Sequence, residues 1–383
     1  MPLNDPFAGS WVQTPRPRLL FQGRPIPGLF SLTVTRSSLY KPATFSASLA
    51  AAETGTGSQS WWASLAPDQP IEAQFSIDGN SWVSMLVGYA DRADQELIEG
   101  TVNVSGRDVL GALCTTQISA VDVNQTSSQI VSAIISAHGL TPDVAATDTP
   151  VGRYFNGEHR HAGRHSFGSA KTEFDLVTQL AMREQMDIWA TGNTVHMQPF
   201  ITPSTAPLYV VHYFPGGVMS GPTPGGAPTG GAVVATSNAL SLRVSRHLTL
   251  ARNLSVTVQS WHGKSGSAVT TAATMADVPT SDGAHAATAQ KYFVSRPDLT
   301  PEQATRLANS ILFELAKNER QISVSMPGDF NLDIRTGIAL RDTGTAYDQT
   351  YFPDRIEYEM SMDGFTMHAT ARNVSPRAMT RAT

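Results

Sequence analysis

The sequence predicts a mainly β protein with α+β parts, in which a small α/β domain lies between two similar β-barrel domains and a helix braces the second barrel. Charged residues make up only 15% of the chain, and Gly, Pro, Ser, Thr and Ala are abundant, as is typical of strands and loops. Apolar and polar residues alternate along many short segments, the period of a half-buried strand. Two distant hairpins end in similar residues, which indicates one structural unit used twice.

Length, charge and cysteine content limit the class of protein. A chain of 383 residues is expected to form about two to four domains. The net charge of -5 argues against nucleic-acid binding, which needs a basic surface. A mildly acidic surface would instead repel DNA and keep it from adhering to the protein, for example to the wall of a lumen. The single cysteine, Cys114, excludes an internal disulfide and a Cys-based metal site. The sequence has no signal pattern and no apolar run of about 18 residues, so we expect cytoplasmic folding and no membrane span.

The N-terminal third is predicted to be an arm followed by strands. Residues 1–18 contain four prolines, which remove amide donors, and are predicted to be an extended arm. Residues 19–120 are predicted to form the first β-barrel. Residues 71–77 alternate strictly, and Asp78-Gly79-Asn80 supplies a hairpin turn. Taken alone, these strands fit either a sandwich or a small barrel.

Residues 121–202 have the pattern of a small α/β domain. Ser127 and Ser128 can cap a helix that His138-Gly139 ends. A second helix is predicted over about 173–186, and it leads to a short hairpin that turns at Gly192-Asn193.

The second β-barrel is predicted from residues 203–262 and 321–375, followed by a tail at 376–383. The Gly/Pro-rich stretch 215–231 is predicted to be a loop, because such a composition cannot hold a regular element. Residues 263–320 are predicted to be a connecting segment, weakly structured up to 290 and then helical over 301–317. Thr300 as N-cap with Pro301 at the first helical position is the start signal.

The repeated hairpin ends share an aromatic-x-Asp-Arg sequence and a later Thr-x-x-x-x-x-Arg-Asp/Asn sequence. The second arginine follows the first by fifteen residues in one hairpin and by seventeen in the other. Charged surface pairs contribute under about 1 kcal/mol each, so the plain interpretation is surface charge. The alternative is that these residues tie strand ends together at equivalent barrel corners, namely Asp91, Arg92, Arg107 and Asp108 in the first copy and Asp354, Arg355 and Arg372 in the second.

One histidine cluster is the best candidate for chemistry. His159 and His161 would lie on one face of a strand, and His165 follows closely, so the three could share a metal. Arg153, Arg160 and Arg164 crowd the same stretch and would repel a cation, which makes a basic surface loop the default interpretation. We therefore expect no metal and no cofactor. A metal-dependent enzyme is the alternative function.

Other motifs do not support catalysis. Gly263-Lys264-Ser265 resembles the end of a phosphate loop, but the pattern needs glycine where Val258 stands. Cys114 is expected to be a small buried apolar group rather than a nucleophile. Trp61 and Trp62 look exposed in sequence and would anchor a protein contact or, in a third interpretation, a glycan-binding β-sandwich. Core packing of the two rings is an equal alternative.

The chain resembles the baseplate hub proteins of contractile phage tails, the Mu-like and late control protein D group, which are related to the N-terminal hub part of VgrG spikes. The resemblance covers most of residues 19–375. The stretches that carry it are Ser105-Gly106-Arg107-Asp108, the small α/β domain, 256–261, Leu332-x-x-Arg335-x-Gly337-x-x-Leu340, Tyr351 and Gly364-Phe365-Thr366.

This resemblance implies a structural protein with no catalytic residues. The alternative is a metal-dependent, cell-wall-degrading tail enzyme that uses the histidine cluster. In that family two similar barrels per chain form a homotrimer, whose pseudo-hexameric ring adapts a six-fold tail tube to a three-fold central spike and lets DNA and the tape measure protein pass. The implied partners are further copies of the chain, the tail tube or distal tube protein, the central spike protein, the tape measure protein and wedge components. The implied location is the virion tail baseplate, assembled in the host bacterial cytoplasm.

Overall fold

The structure is a computed structural model that describes Asn4 and residues 14–38, 40–66, 69–118, 125–148, 151, 170–201, 206–215, 236–247, 254–262, 267–274, 290–296, 299–316 and 320–373. It confirms a mainly β chain. The strands before the α/β domain are β1 (Arg16–Phe21), β2 (Arg24–Pro25), β3 (Leu29–Ser37), β4 (Thr44–Ala50), β5 (Pro70–Ser76), β6 (Val83–Glu96) and β7 (Thr101–Asp108). The α/β domain contributes β8 (Thr141–Val144), β9 (Met186–Thr191) and β10 (Thr194–Pro199).

The remaining strands and the helices follow in the same numbering. The strands are β11 (Leu208–Phe214), β12 (Thr236–Ser237), β13 (Ser241–Arg246), β14 (Leu254–His262), β15 (Ser267–Thr274), β16 (Gln290–Ser295), β17 (Arg320–Pro327), β18 (Gly337–Arg341), β19 (Thr350–Ser361) and β20 (Gly364–Arg372). The helices are α1 (Gln59–Ala63), α2 (Leu110–Thr115), α3 (Ser127–Ala137), α4 (Glu173–Glu184) and α5 (Pro301–Ala316).

The first unit is an antiparallel set of strands in the order β3-β4-β7-β6-β5-β1, with the short β2 on β1. Alternate residues point into the core, and β7 shows this along most of its length, with Val102 and Val104 fully buried. The predicted turn at 78–80 is present, because the Asp78 carboxylate accepts the amides of Asn80 and Ser81. β1 begins at Arg16, so the end of the predicted arm is a paired strand.

The second unit has the order β13-β17-β20-β19-β18-β11, with the short β12 on β11. β11 runs parallel to β18, whereas the other pairs of this unit are antiparallel. β3 of the first unit pairs antiparallel with β19, from Ser37 opposite Arg355 to Ser31 opposite Ser361. The described strands of both units therefore form one 14-stranded sheet with one core, in which the Phe75 and Phe365 rings meet at 5.5 Å.

The α/β domain, with the antiparallel hairpin β9–β10 and parallel β8, has its own core. Two capping boxes open its long helices: Thr172 caps α4 with Asp175, and Thr126, not the predicted serines, caps α3 with Gln129. The predicted hairpin turn is correct, with Gly192 at φ +58°.

A further α/β insertion separates β13 from β17. The antiparallel pair β14–β15 and the parallel strand β16 form a three-stranded sheet that packs on α5 around a third core. Thr300 caps α5 through the amide of Gln303 as predicted. Two expectations were wrong here: 254–262 belongs to this sheet rather than to the second unit, and 267–274, predicted to be weakly structured, is strand β15.

Candidate functional site: two repeated strand corners

The first corner lies where β6 bends against β7. Tyr89 pairs with Arg107, and the register then shifts so that Asp91 is an extra residue, a β-bulge. This bulge turns the Asp91 carboxylate toward the neighbouring strand, where Arg107 binds it with two bonds of 2.7 Å, from Nε and Nη2. The hydrogen bond to Asp91 is the chief cause that raises the pKa of Arg107 above its ordinary value.

The second corner repeats this geometry where β19 bends against β20. Phe352 pairs with Arg372, and the register shift makes Asp354 the extra residue. Arg372 Nη1 lies 2.5 Å from Asp354 Oδ1. The second pair is more enclosed, because the Arg372 side chain is 4% exposed and that of Arg107 is 29% exposed.

The residues next to each bulge correspond as well. Arg92 contacts Asp94 at the first corner, and Arg355 contacts Glu357 at the second. Beyond the bulges, cross-strand hydrogen bonds link Ser48 on β4 to Asn103 on β7 and Ser325 on β17 to His368 on β20. These positions correspond when Arg107 is aligned with Arg372 through the strand registers.

The same alignment shows a sequence match that the hairpin ends alone did not reveal. Strand β3 reads Ser-Leu-Thr-Val-Thr-Arg over 31–36, and β13 reads Ser-Leu-Arg-Val-Ser-Arg over 241–246. The next strands read Phe-Ser-Ala-Ser-Leu over 45–49 and Ile-Ser-Val-Ser-Met over 322–326. Six strands of each unit thus correspond in both chain order and spatial order: β1, β3, β4, β5, β6 and β7 correspond to β11, β13, β17, β18, β19 and β20.

Each corner borders a shallow polar groove on the outer face of its unit, and the two grooves are lined by corresponding residues. One is lined by Thr33, Thr35, Thr44, Phe45, Ser46, Asp91, Ser105, Gly106 and Arg107. The other is lined by Arg243, Ser245, Gln321, Ile322, Ser323, Asp354, Thr370 and Ala371. Short hydroxyl side chains and one acidic corner recur in both, so the chain presents one kind of polar surface twice.

The residue after each corner arginine marks a difference between the units. Asp108 is 4% exposed, whereas its counterpart is Asn373. Burial raises the pKa of Asp108 to about 7, against the opposing effect of the amides of Ala43 and Leu110, which donate to its carboxylate. These two hydrogen bonds hold the backbone in place where β7 passes into α2.

The other candidates from the sequence fare differently. His159, His161 and His165 lie outside the described residues, as do residues 216–231 of the Gly/Pro loop. Within the described ranges no group of three or more His, Cys, Asp or Glu side chains is placed to hold a metal. No helix in these ranges is long and apolar enough to span a membrane.

The two tryptophans and the cysteine lie in buried or half-buried positions. Trp62 is 3% exposed, and Trp61 packs edge-on against it at 4.7 Å and against Phe21 at 5.0 Å, so the structure favours the core-packing alternative over an exposed aromatic pair. Cys114 is half-buried rather than fully buried, and burial raises the pKa of its thiol. A raised pKa disfavours the reactive thiolate.

No protein-family model matches the sequence, and no characterised protein matches it by sequence. Solved structures match it by fold. The 43 kDa tail protein of prophage MuSo2 from Shewanella oneidensis is 15% identical, with a TM-score of 0.62 over 96% of this chain and 100% of that one. A tail protein from Neisseria meningitidis MC58 is 11% identical, with a TM-score of 0.63 over 94% and 96%.

A third similar structure, the E. coli c3393 protein, is described as a component of the type VI secretion system that resembles T4 bacteriophage tail proteins gp27 and gp5. It is 11% identical, with a TM-score of 0.52 over 96% of this chain and 79% of that one. The chain therefore has the fold of phage tail proteins, and the resemblance predicted from its sequence is confirmed at the level of fold.

Proposed function

We propose that this chain is the structural baseplate hub of a contractile phage tail or phage-like device. The observation that carries the proposal is the duplication of a six-stranded unit, with its corner ion pair and its polar groove, inside one chain. The fold shared with phage tail proteins supports the same class of function.

Two similar units in each chain allow a trimer to match a partner with six-fold symmetry. In the proposed assembly each unit takes the place of one small β-barrel, and three copies of the chain close into a ring that presents six similar units. Closed cyclic symmetry keeps such an assembly finite. The two polar grooves per chain then become six nearly equivalent docking positions for a six-fold tail tube, while the three-fold axis fits a trimeric spike.

The proposed partners follow from this geometry. They are two further copies of the chain, the tail tube or distal tube protein on one face, the central spike protein on the other, and the tape measure protein and wedge components around them. The net charge of -5 suits a channel through which DNA passes without adhering. The proposed location is the virion tail baseplate.

This function needs no catalysis. The corner carboxylates Asp91 and Asp354 are each bound by an arginine and are suited to holding strands rather than to proton transfer. A metal enzyme that uses His159, His161 and His165 remains the rival, and the purified protein's zinc content separates the two. Stoichiometric zinc that is lost when these histidines are replaced would favour the enzyme.

Mass photometry of the purified chain, alone and with the tail tube and spike proteins of the same tail, tests the hub directly. We expect a trimer, and we expect both partners to bind that trimer rather than the monomer. A chain that stays monomeric at every concentration and binds neither partner would overturn the proposal.

A further inference from the structure

Two of the strand edges that lack a strand partner among the described residues lie in the repeated units, on β13 and on β6. One is the edge of β13 that faces away from β17. The other is the distal half of β6, residues 92–96, because β5 pairs with β6 only over Val83–Tyr89 and β7 occupies the opposite edge. Unpaired edges offer rows of free amides and carbonyls to another strand.

The chain itself contains an example of how such edges are covered. The edge of β19 that corresponds to the distal half of β6 is occupied by β3, and β3 is the counterpart of β13. The in-chain pair β3–β19 is thus the contact that β13 and β6 would make with each other. Within one chain they lie far apart, at the two ends of the strand series β13-β17-β20-β19-β3-β4-β7-β6. A second copy of the chain would bring the two kinds of edge together.

Burial supports this assignment. Met360, on the covered edge of β19, is fully buried, whereas its counterpart Leu97 at the end of β6 is 63% exposed. On β3, Leu32 and Val34 are fully buried, whereas their counterparts on β13 are only half-buried. Each free edge exposes the apolar side chains that its counterpart buries.

Charge is complementary between the two edges. The β3–β19 register, carried over to β13 and β6, places Arg243 opposite Glu96 and Ser245 opposite Asp94. Arg243 and Glu96 are exposed, and neither makes an ion pair among the described residues. Opposite charges directly across an antiparallel pair are stabilising. The Leu97 carbonyl accepts an exposed hydrogen bond of 3.1 Å from Gln59 Nε2, and a backbone hydrogen bond from the incoming strand would replace it.

We propose that β13 of one copy pairs antiparallel with the distal half of β6 of the next copy, with Arg243 opposite Glu96, and that three such contacts close the ring. This inference rests on the proposed homotrimer and names the surfaces that hold it together. The sheet then runs without a break from each copy into the next.

Charge reversal tests the pairing in the full chain. Arg243→Glu and Glu96→Arg each place like charges opposite one another at all three contacts, so we expect the monomer concentration at half-assembly to rise by about tenfold or more. The double variant should recover most of the loss. Lys291→Glu, a reversal at an exposed position on the inserted sheet, is the matched control and should leave assembly unchanged.

Cysteine cross-linking tests the register. In a Cys114→Ser background, Arg243→Cys combined with Glu96→Cys should form disulfides between copies on mild oxidation, because facing residues of an antiparallel pair have Cβ atoms about 4.5–5.5 Å apart. Ser241→Cys with Glu96→Cys, offset by two residues, should cross-link far less.

The outcomes separate this inference from the hub itself. A trimer that tolerates both charge reversals and does not cross-link at Arg243→Cys with Glu96→Cys would overturn the edge pairing and leave the hub standing. Failure of the unaltered chain to form any trimer, alone or with its tail partners, would overturn both.

Discussion

Arg107 and Arg372 hold corresponding carboxylates in different surroundings, and this difference has a measurable consequence. Replacing Arg372 by alanine removes a buried side chain and leaves the half-buried Asp354 without this partner, so we expect a loss of about 2 kcal/mol in the free energy of unfolding. Arg107→Ala acts on a more exposed pair and should cost about 1 kcal/mol. Urea unfolding measures both, with the exposed Arg92→Ala as the control that should change little. Equal losses at the two corners would contradict this account.

The buried carboxyl of Asp108 should make stability depend on pH. Its pKa of about 7 in the folded state exceeds that of an exposed aspartate, so the folded chain holds this proton more tightly than the unfolded chain does. The resulting stabilisation is complete below about pH 4 and is lost as the pH rises toward 7, by about 1.4 kcal/mol per unit.

Asp108→Asn should remove this part of the pH dependence, since the amide does not titrate. We expect the stability difference between wild type and variant to shift in favour of the variant as the pH rises from 4.5 to 7, measured by urea unfolding across that range. Stability curves that stay parallel across the range would show that Asp108 does not titrate there.

At the scale of elements, the first corner leaves no room for a side chain at Gly106. A Cβ atom at this position would meet the Tyr89 carbonyl oxygen at 2.0 Å and the Phe45 ring at 2.8 Å. Its counterpart is Ala371, which faces the smaller Ile322 across the strands. Gly106→Ala should therefore destabilise the chain by about 1–3 kcal/mol. Adding Phe45→Ile should recover only part of this loss, because the contact with the Tyr89 carbonyl remains; full recovery would show that the Phe45 ring alone sets the constraint.

The sequence predicted local elements better than the partners of those elements. Thr300, Thr172 and the Gly192 turn are signals that act within a few residues, and α5, α4 and the β9–β10 hairpin lie close to where they were expected. Strand β14 was assigned to the wrong sheet, since alternation shows that a strand has a buried face but not which strand lies beside it. Strand β15 was missed because its residues are small and mostly exposed.

The candidate site could likewise be predicted only where its residues are close together in the sequence. The repeated Asp-Arg sequence of the two hairpin ends can be recognised because its residues are contiguous. The match between β3 and β13 can be recognised only from the strand registers, which align residues through their pairing partners. The buried state of Trp62 depends on contacts with distant strands that no local pattern encodes.

At the scale of the whole molecule, the insertion between β13 and β17 should be separable from the two repeated units. Its core is distinct from the core that the units share, and Arg246 at the end of β13 lies directly opposite Arg320 at the start of β17. An Asn-Gly turn can therefore join the two strands in place of residues 247–319. The deletion removes the ion pair of Arg306 with Glu184 on α4, in which the Glu184 side chain is 8% exposed, and the hydrogen bond from Gln185 to the Arg306 carbonyl. Glu184 gains access to water when α5 is removed, so the loss should be about 1–2 kcal/mol. We expect the shortened chain to keep a cooperative unfolding transition and the oligomeric state of the full chain, measured by calorimetry and mass photometry. Loss of cooperative unfolding would show that the insertion is part of the structural core rather than an addition to it.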